Sequence, residues 1–338
     1  MRLGKTPLLL LLTLSITTAR DAHAAPKKPT PTPKPTIMAT PTATVTRTPT
    51  PAPTRTPTPQ AGAASIAITD PIAGAVIRSN RLNVRGTFQG PPNTGVTVND
   101  RVAYASGGQF MLNSLPLAAG SNVITAIATT PTGQSARTTV TVSATGDPPD
   151  LVLNADVTSG ASPLVVTFTY DFRSGQAIQK LAIDFDGDGR DDFSSRKPPM
   201  AMQNAYTHSG LSVATLTITD RLGQVYKAAV GIEVHAWDVR DSLFRSVWDA
   251  MTEALARGDV EAALQPLNAR ARERYAPIFN ELVADLPWIV SSYSVPQFVS
   301  EGPGYLEYAV ARLIDGETKI FFVYLLRDAD GVWRMDSF

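Results

Sequence analysis

The stretch Asp184-Phe-Asp-Gly-Asp-Gly-Arg-Asp-Asp192 places five carboxylates in nine residues and breaks them with two glycines. Charges of one sign held so close need a cation or open water around them. Counted as a calcium loop, Asp184, Asp186 and Asp188 fall at positions 1, 3 and 5, Gly189 at the sharp-turn position 6 and Asp192 at position 9. Arg190 offers its carbonyl at position 7. The bidentate glutamate is missing, because position 12 is Ser195. A calcium ion here is therefore expected to be structural and weakly held, with a Kd of about 10⁻⁴ to 10⁻³ M. The same letters fit a solvated turn whose Asp184 hydrogen-bonds the loop backbone. No other cofactor is required.

The segments around this turn read as short strands. Pro163-Leu-Val-Val-Thr-Phe168 precedes it, and Tyr206, Gly210 and Leu216-Thr-Ile-Thr-Asp220 follow. Together with Ile183-Asp-Phe-Asp-Gly-Asp-Gly189, these residues resemble the polycystic kidney disease (PKD) domain, although Ile183 stands where that family usually has Trp. The resemblance covers residues 148–236. It implies an Ig-like β-sandwich used for protein or polysaccharide contact outside cells, and no chemistry.

Upstream, residues 62–146 alternate apolar and polar side chains in short runs such as Gly95-Val-Thr-Val-Asn99 and Thr138-Thr-Val-Thr-Val142, with turn residues between them. That pattern is the mark of an antiparallel sandwich. With Pro71, Gly74, Val84-Arg-Gly86 and Gly120-Ser-Asn122, the segment resembles bacterial Ig-like modules. Its Phe88, Tyr104 and Phe110 are expected in the core rather than on a sugar-binding platform.

From Trp237 the period changes. Phe244, Val247, Trp248, Met251 and Leu255 recur at helical spacing from near Asp238 or Asp241 to Gly258. A second helix is capped by Asp259, and a third carries Tyr275, Ile278, Phe279, Leu282 and Val283, with Pro277 expected to kink or restart it. Strands near 295–301, 304–313, 318–327 and 332–338 follow, and Asp315-Gly316 and Asp330-Gly331 mark hairpin turns. The unbroken apolar run Ile320-Phe-Phe-Val-Tyr-Leu-Leu326 reads as the central strand of this meander. Residues 237–338 resemble the nuclear transport factor two-like (cystatin-like) cone. Some relatives of that cone bind ligands in a pocket, which makes Glu307, Tyr308 and Asp336 the candidate pocket residues here.

The fold class expected is therefore two all-β Ig-like sandwiches and then an α+β domain with helices packed on a curved antiparallel sheet. A disordered N-terminal segment precedes them. Within it, Arg2 and Lys5, the apolar run Leu8 to Leu14 and Ala22-His23-Ala24 form a signal peptide over residues 1–24. Residues 25–61 are a Pro/Thr-rich disordered linker, long enough at ~3.1 Å per residue to reach roughly 110 Å. After cleavage no transmembrane segment is expected, and the chain is secreted, periplasmic or on the cell surface. It has no cysteine, so no disulfide supports it.

Thirty basic and thirty acidic residues cancel. The linker holds five of the basic residues, and the signal holds two in net, so the folded part carries −7. Such a body excludes nucleic acid as the main partner. No histidine follows His235, and no phosphate loop or nucleophile elbow occurs. The expected function is non-catalytic: binding or scaffolding of an extracellular or envelope protein or polysaccharide. The alternative is an enzymatic or ligand-binding pocket in the C-terminal domain, presented by two spacer modules.

Overall fold

Apolar side chains at every second position make strands that bury one face. In the computed structural model, which describes residues 63–338, this pattern governs everything up to His235. The expected signal peptide and linker lie outside the described residues.

The first part contains β1 (Ser65–Asp70), β2 (Val76–Ile77), β3 (Arg81–Gln89), β4 (Gly95–Val98), β5 (Arg101–Val102), β6 (Tyr104–Ser106), β7 (Gln109–Pro116), β8 (Gly120–Thr129) and β9 (Ser135–Ala144). They form two sheets, ordered β1-β3-β7-β6 and β2-β9-β8-β4-β5. Val84, Val96, Val98, Phe110, Ile124 and Val142 fill the space between them. Two sheets closed over one core make a β-sandwich.

The second part repeats this plan with β10 (Leu151–Ala155), β11 (Ser159–Ala161), β12 (Leu164–Phe172), β13 (Ile178–Asp184), β14 (Phe193–Ser195), β15 (Met202–Tyr206), β16 (Gly210–Asp220) and β17 (Val225–His235). Its sheets are ordered β10-β12-β15 and β11-β17-β16-β13-β14. Phe168, Leu181, Ile183, Leu216, Ile218 and Ile232 form its core.

The remainder holds α1 (Trp237–Ala256), α2 (Val260–Leu264), α3 (Ala269–Glu281), α4 (Leu286–Ser291) and the antiparallel meander β18 (Gln297–Gly302), β19 (Tyr305–Ile314), β20 (Glu317–Arg327) and β21 (Trp333–Ser337). Asp259 caps α2 by accepting from the Ala262 amide, and Asn268 caps α3 through the Ala271 amide. The third helix runs through Pro277 without a break. Proline removes one rung of the helical ladder and crowds the carbonyl four residues before it, while Tyr275 and Phe279 on either side keep the helix seated on the core. Phe244, Trp248 and Met251 of α1 join them against Leu306, Tyr308, Val310, Val323 and Leu325 of the sheet. No helix among the described residues is long and apolar enough to cross a membrane.

β20 lies inside the sheet order as expected, and the helices cover one of its faces. Val323 and Leu325 are buried, while Ile320 and Phe322 are 64% and 50% exposed.

The two sandwiches interlock with each other and with the C-terminal part. The side chain of Asn113 pairs with both backbone groups of Gly231: its Nδ2 donates to the carbonyl at 2.9 Å, and its Oδ1 accepts from the amide at 2.8 Å. Asn93 treats Trp333 in the same way, with both distances 2.9 Å. Each asparagine thus substitutes for a strand partner across a boundary. Backbones approach closely at the second boundary, where a Cβ on Gly95 would lie 2.3 Å from the Gly331 carbonyl carbon, whereas one on Gly231 would lie 2.5 Å from the side-chain sulfur of Met111. Only glycine fits at Gly95. Phe110 is in the first core as expected and Phe88 packs partly against it, whereas Tyr104 bonds through its hydroxyl to Thr158 Oγ1 of the second sandwich at 2.6 Å.

Candidate functional site

The acidic turn leaves β13 at Asp184, which is buried, whereas Asp186 and Asp188 are exposed. Asp184 accepts from the amides of Gly187 at 2.6 Å and Gly189 at 2.8 Å, so both its oxygens hold the turn closed. Gly187 makes this possible with a φ of 82°. Asp186 accepts from the Asp188 amide, and Asp188 from the Arg190 amide. Asp192 closes the base of the turn, with Oδ2 on the Phe185 amide at 2.7 Å. Beneath it the buried Tyr206 hydroxyl donates to the Phe185 carbonyl at 2.8 Å. Burial, reinforced by the charges of Asp186, Asp192 and Asp184, pushes that phenol up to about 12.

Carboxylate oxygens of Asp184, Asp186 and Asp188 lie within 4.8 Å of one another. Oxygens at ~2.4 Å from a calcium ion are at most ~4.8 Å apart, so these three donors fit a hard cation. Asp192 is turned to the backbone instead, and Ser195 donates its hydroxyl to the Lys197 carbonyl. The turn is hydrogen-bonded as it stands, with spare lone pairs for a cation.

The candidate pocket residues of the C-terminal part do not converge. Glu307 and Tyr308 are consecutive on β19 and therefore face opposite ways. Tyr308 is fully buried, stacked 3.6 Å from the Phe244 ring centroid, and donates to Asp241 Oδ1 at 2.8 Å. Burial, then that carboxylate, raises its phenol far above the ordinary value. Glu307 sits on the open face, held below the ordinary carboxylate value by hydroxyls of Ser300 and Tyr324 that donate to it. Asp336 accepts from Asn268 Nδ2 at 2.8 Å. These groups are structural partners of their own neighbours.

A cleft of about 950 Å³ opens instead where the two sandwiches and α1 meet, lined among others by Phe88, Asn93, Glu233, His235, Arg240 and Trp333. Arg240 lies 4.8 Å over the Trp333 ring centroid, 3.7 Å from Glu233 Oε2 and, through Nη2, 3.3 Å from His235 Nδ1. An arginine can only donate, so Nδ1 accepts and the other ring nitrogen, Nε2, donates to Glu301 at 3.2 Å. This is the neutral imidazole. Burial first, then Arg240, pulls the His235 pKa below its ordinary value. Glu233 is tied down by the Ala105 amide at 3.2 Å and the Ser159 hydroxyl at 3.0 Å. The cleft draws on residues 88 to 333, and no local spacing in the sequence indicates it. The one trace is the charged Glu233 inside the apolar strand β17.

No family model matches the chain, and no curated protein matches it. Solved structures give partial similarities. The fibronectin(III)-like modules of Clostridium thermocellum CbhA are 12% identical, covering 50% of this chain and 94% of theirs, with a TM-score of 0.20. The PKD1 domain of the Vibrio cholerae metalloprotease PrtV is 26% identical, covering 25% of this chain and 98% of its own, with a TM-score of 0.20. CopC from Methylosinus trichosporium OB3b is 18% identical, covering 25% and 94%, with a TM-score of 0.19.

Proposed function

We propose that residues 62–146, 148–236 and 237–338 are an Ig-like, a PKD-like and a nuclear transport factor two-like module of one exported, non-catalytic protein. It binds or scaffolds protein or polysaccharide at the cell envelope, as a secreted, periplasmic or surface molecule. The observation that carries this reading is the interlocking of the three parts. Asn113 on Gly231 and Asn93 on Trp333, with glycine at the closest backbone approaches, hold them in one relative placement. A fixed placement serves presentation of a composite surface; a string of spacers has no use for it. A structural calcium at Asp184, Asp186 and Asp188 belongs to the same proposal, as an ion that stiffens the second module.

The test immobilises residues 63–338 and passes envelope polysaccharide and envelope extract over them, with calcium and with chelator. Specific, saturable retention is expected. Retention of neither class counts against the proposal.

A second reading, a ligand-binding or enzymatic site, is favoured by the junction cleft rather than by Glu307, Tyr308 and Asp336. Saturable binding of a small molecule, lost in Arg240→Ala, would establish it in place of the first.

A further inference from the structure

In the junction cleft the acceptors are engaged and the donors are left over. Glu233 holds the Ala105 amide and the Ser159 hydroxyl, one on each oxygen, and both ring nitrogens of His235 are taken, by Arg240 and Glu301. Arg240 has five N–H groups, and His235 takes one of them. Its 3.7 Å approach to Glu233 is too long for a hydrogen bond. Arg327, also in the cleft wall, donates from Nε to the Gly331 carbonyl and from Nη2 to the Ala103 carbonyl, which leaves Nη1 without a partner among the described residues. The single side-chain polar atom there that is both buried and unpaired is Asn80 Oδ1, so Nε and Nη1 of Arg240 and Nη1 of Arg327 are open to solvent. Both side chains line the cleft. The Arg240 guanidinium is already fixed, 4.8 Å over the Trp333 ring, whose backbone Asn93 holds.

We propose that the cleft binds a uronic acid residue of a saccharide chain, with Arg240 and Arg327 on its carboxylate. This rests on the reading of the protein as a polysaccharide binder, and it gives that reading a place. Spare guanidinium donors call for a ligand group that only accepts, and a carboxylate matches their fork. The charges favour a single negative group. Arg240 and Arg327 are offset by Glu233 and Glu301, with His235 neutral, and the exposed Asp238 at the cleft opposes a second negative charge. A carboxylate carries one charge, whereas a phosphate monoester carries about 1.5 to 2.

The rest of the lining suits the body of a sugar. Gln89, Ser209 and Ser242 line the cleft and are exposed, and none of their side chains has a hydrogen-bond partner among the described residues. Amide and hydroxyl groups both donate and accept, as sugar hydroxyls require. Phe88 and the 59% exposed Val239 offer apolar surface to the C–H face of a ring. A volume of about 950 Å³ is at the upper end of the roughly 300–1,000 Å³ of ligand sites, which leaves room beyond one sugar residue.

The experiment is calorimetric titration of the full chain with tetragalacturonate, with the same oligosaccharide reduced at its carboxyl groups, with galacturonate monosaccharide and with inorganic phosphate. Saturable binding of tetragalacturonate is expected, at least about tenfold tighter than that of the other three. Arg240→Gln should abolish it, but Arg240 also supports the junction, so the decisive variants are at the exposed Ser242 of α1. Ser242→Glu should weaken binding and Ser242→Lys tighten it, each by about two- to threefold, the effect of a unit charge roughly 8 Å away in water. Met200→Lys, at a 92% exposed position outside the cleft lining, should change nothing. The proposal is overturned by equal affinity for the reduced oligosaccharide, by equally tight binding of the monosaccharide or phosphate, or by Ser242 variants that move together or not at all. In those cases polysaccharide binding elsewhere on the chain still stands; if the protein retains no envelope polysaccharide of any kind, that reading falls as well.

Discussion

Asn93→Gly should uncouple the C-terminal part from the first sandwich. Asn93 has a φ of 65°, so glycine keeps the backbone unstrained and removes only the side chain. Two hydrogen bonds to the backbone of Trp333, each 2.9 Å, are lost. At a net ~0.5–1.5 kcal/mol each, and with water able to reach a half-buried site, the loss comes to about 1–2 kcal/mol. For a cooperative unit of this size that lowers Tm by ~2–8 °C. All four tryptophans lie between residues 237 and 333, so their fluorescence reports the C-terminal part alone. Guanidinium unfolding followed by that signal should shift to lower midpoint in Asn93→Gly. Asn122→Gly is the control, because its bonds to Ala118 and Gly120 are local to the first sandwich. If the tryptophan transition of Asn93→Gly lies within ~0.3 kcal/mol of the parent, the parts are not energetically coupled and the reasoning fails.

Gly95→Ala should have a similar effect by crowding. Its new Cβ would meet the Asp330 carbonyl and the Val332 amide at 2.4 Å, so the boundary must open; an unaltered midpoint would show that the approach is not close in solution. The neutral His235 makes the junction sensitive to acid. Its folded pKa is depressed, so the unfolded chain binds more protons, and the contribution is complete above the ordinary ~6.5 and is lost as pH falls below it. Melting at pH 7.5 and 5 should differ more in the parent than in His235→Gln, and equal slopes would exclude this residue. In the acidic turn, Asp184→Ala loses two backbone hydrogen bonds and should destabilise by about 1–3 kcal/mol with or without calcium. Millimolar calcium should raise the melting point of the parent, and Asp188→Asn should weaken only that response; identical melting in calcium and chelator removes the ion from the proposal.

Sequence periodicity makes the strands and helices legible because local alternation and helical spacing are direct consequences of burying one face. Asp315-Gly316 is readable for the same reason: a two-residue turn that needs two positive φ values, here 53° and 81°, leaves a signature in the letters themselves. Pro277 misleads, because its cost, a lost hydrogen bond and a crowded preceding turn worth about 3 kcal/mol, is opposed by the burial of Tyr275 and Phe279 on either side of it, which the local letters do not reveal. The junction is illegible for a deeper reason. Asn93, Asn113 and Gly231 look like loop and strand residues of unremarkable spacing, and their roles exist only when segments more than a hundred residues apart come together. Glu233 does leave a trace, a carboxylate in an apolar strand. A buried charge of that kind must be met by donors, and the donors come from β6, β11 and α1, of which only α1 is next to β17 in sequence. The acidic turn shows the opposite case. Its five carboxylates suggest metal chemistry at first sight, yet four of them, Asp184, Asp186, Asp188 and Asp192, already accept amides of their own loop. Density of charge in a sequence therefore marks where a backbone must be turned before it marks where an ion is held.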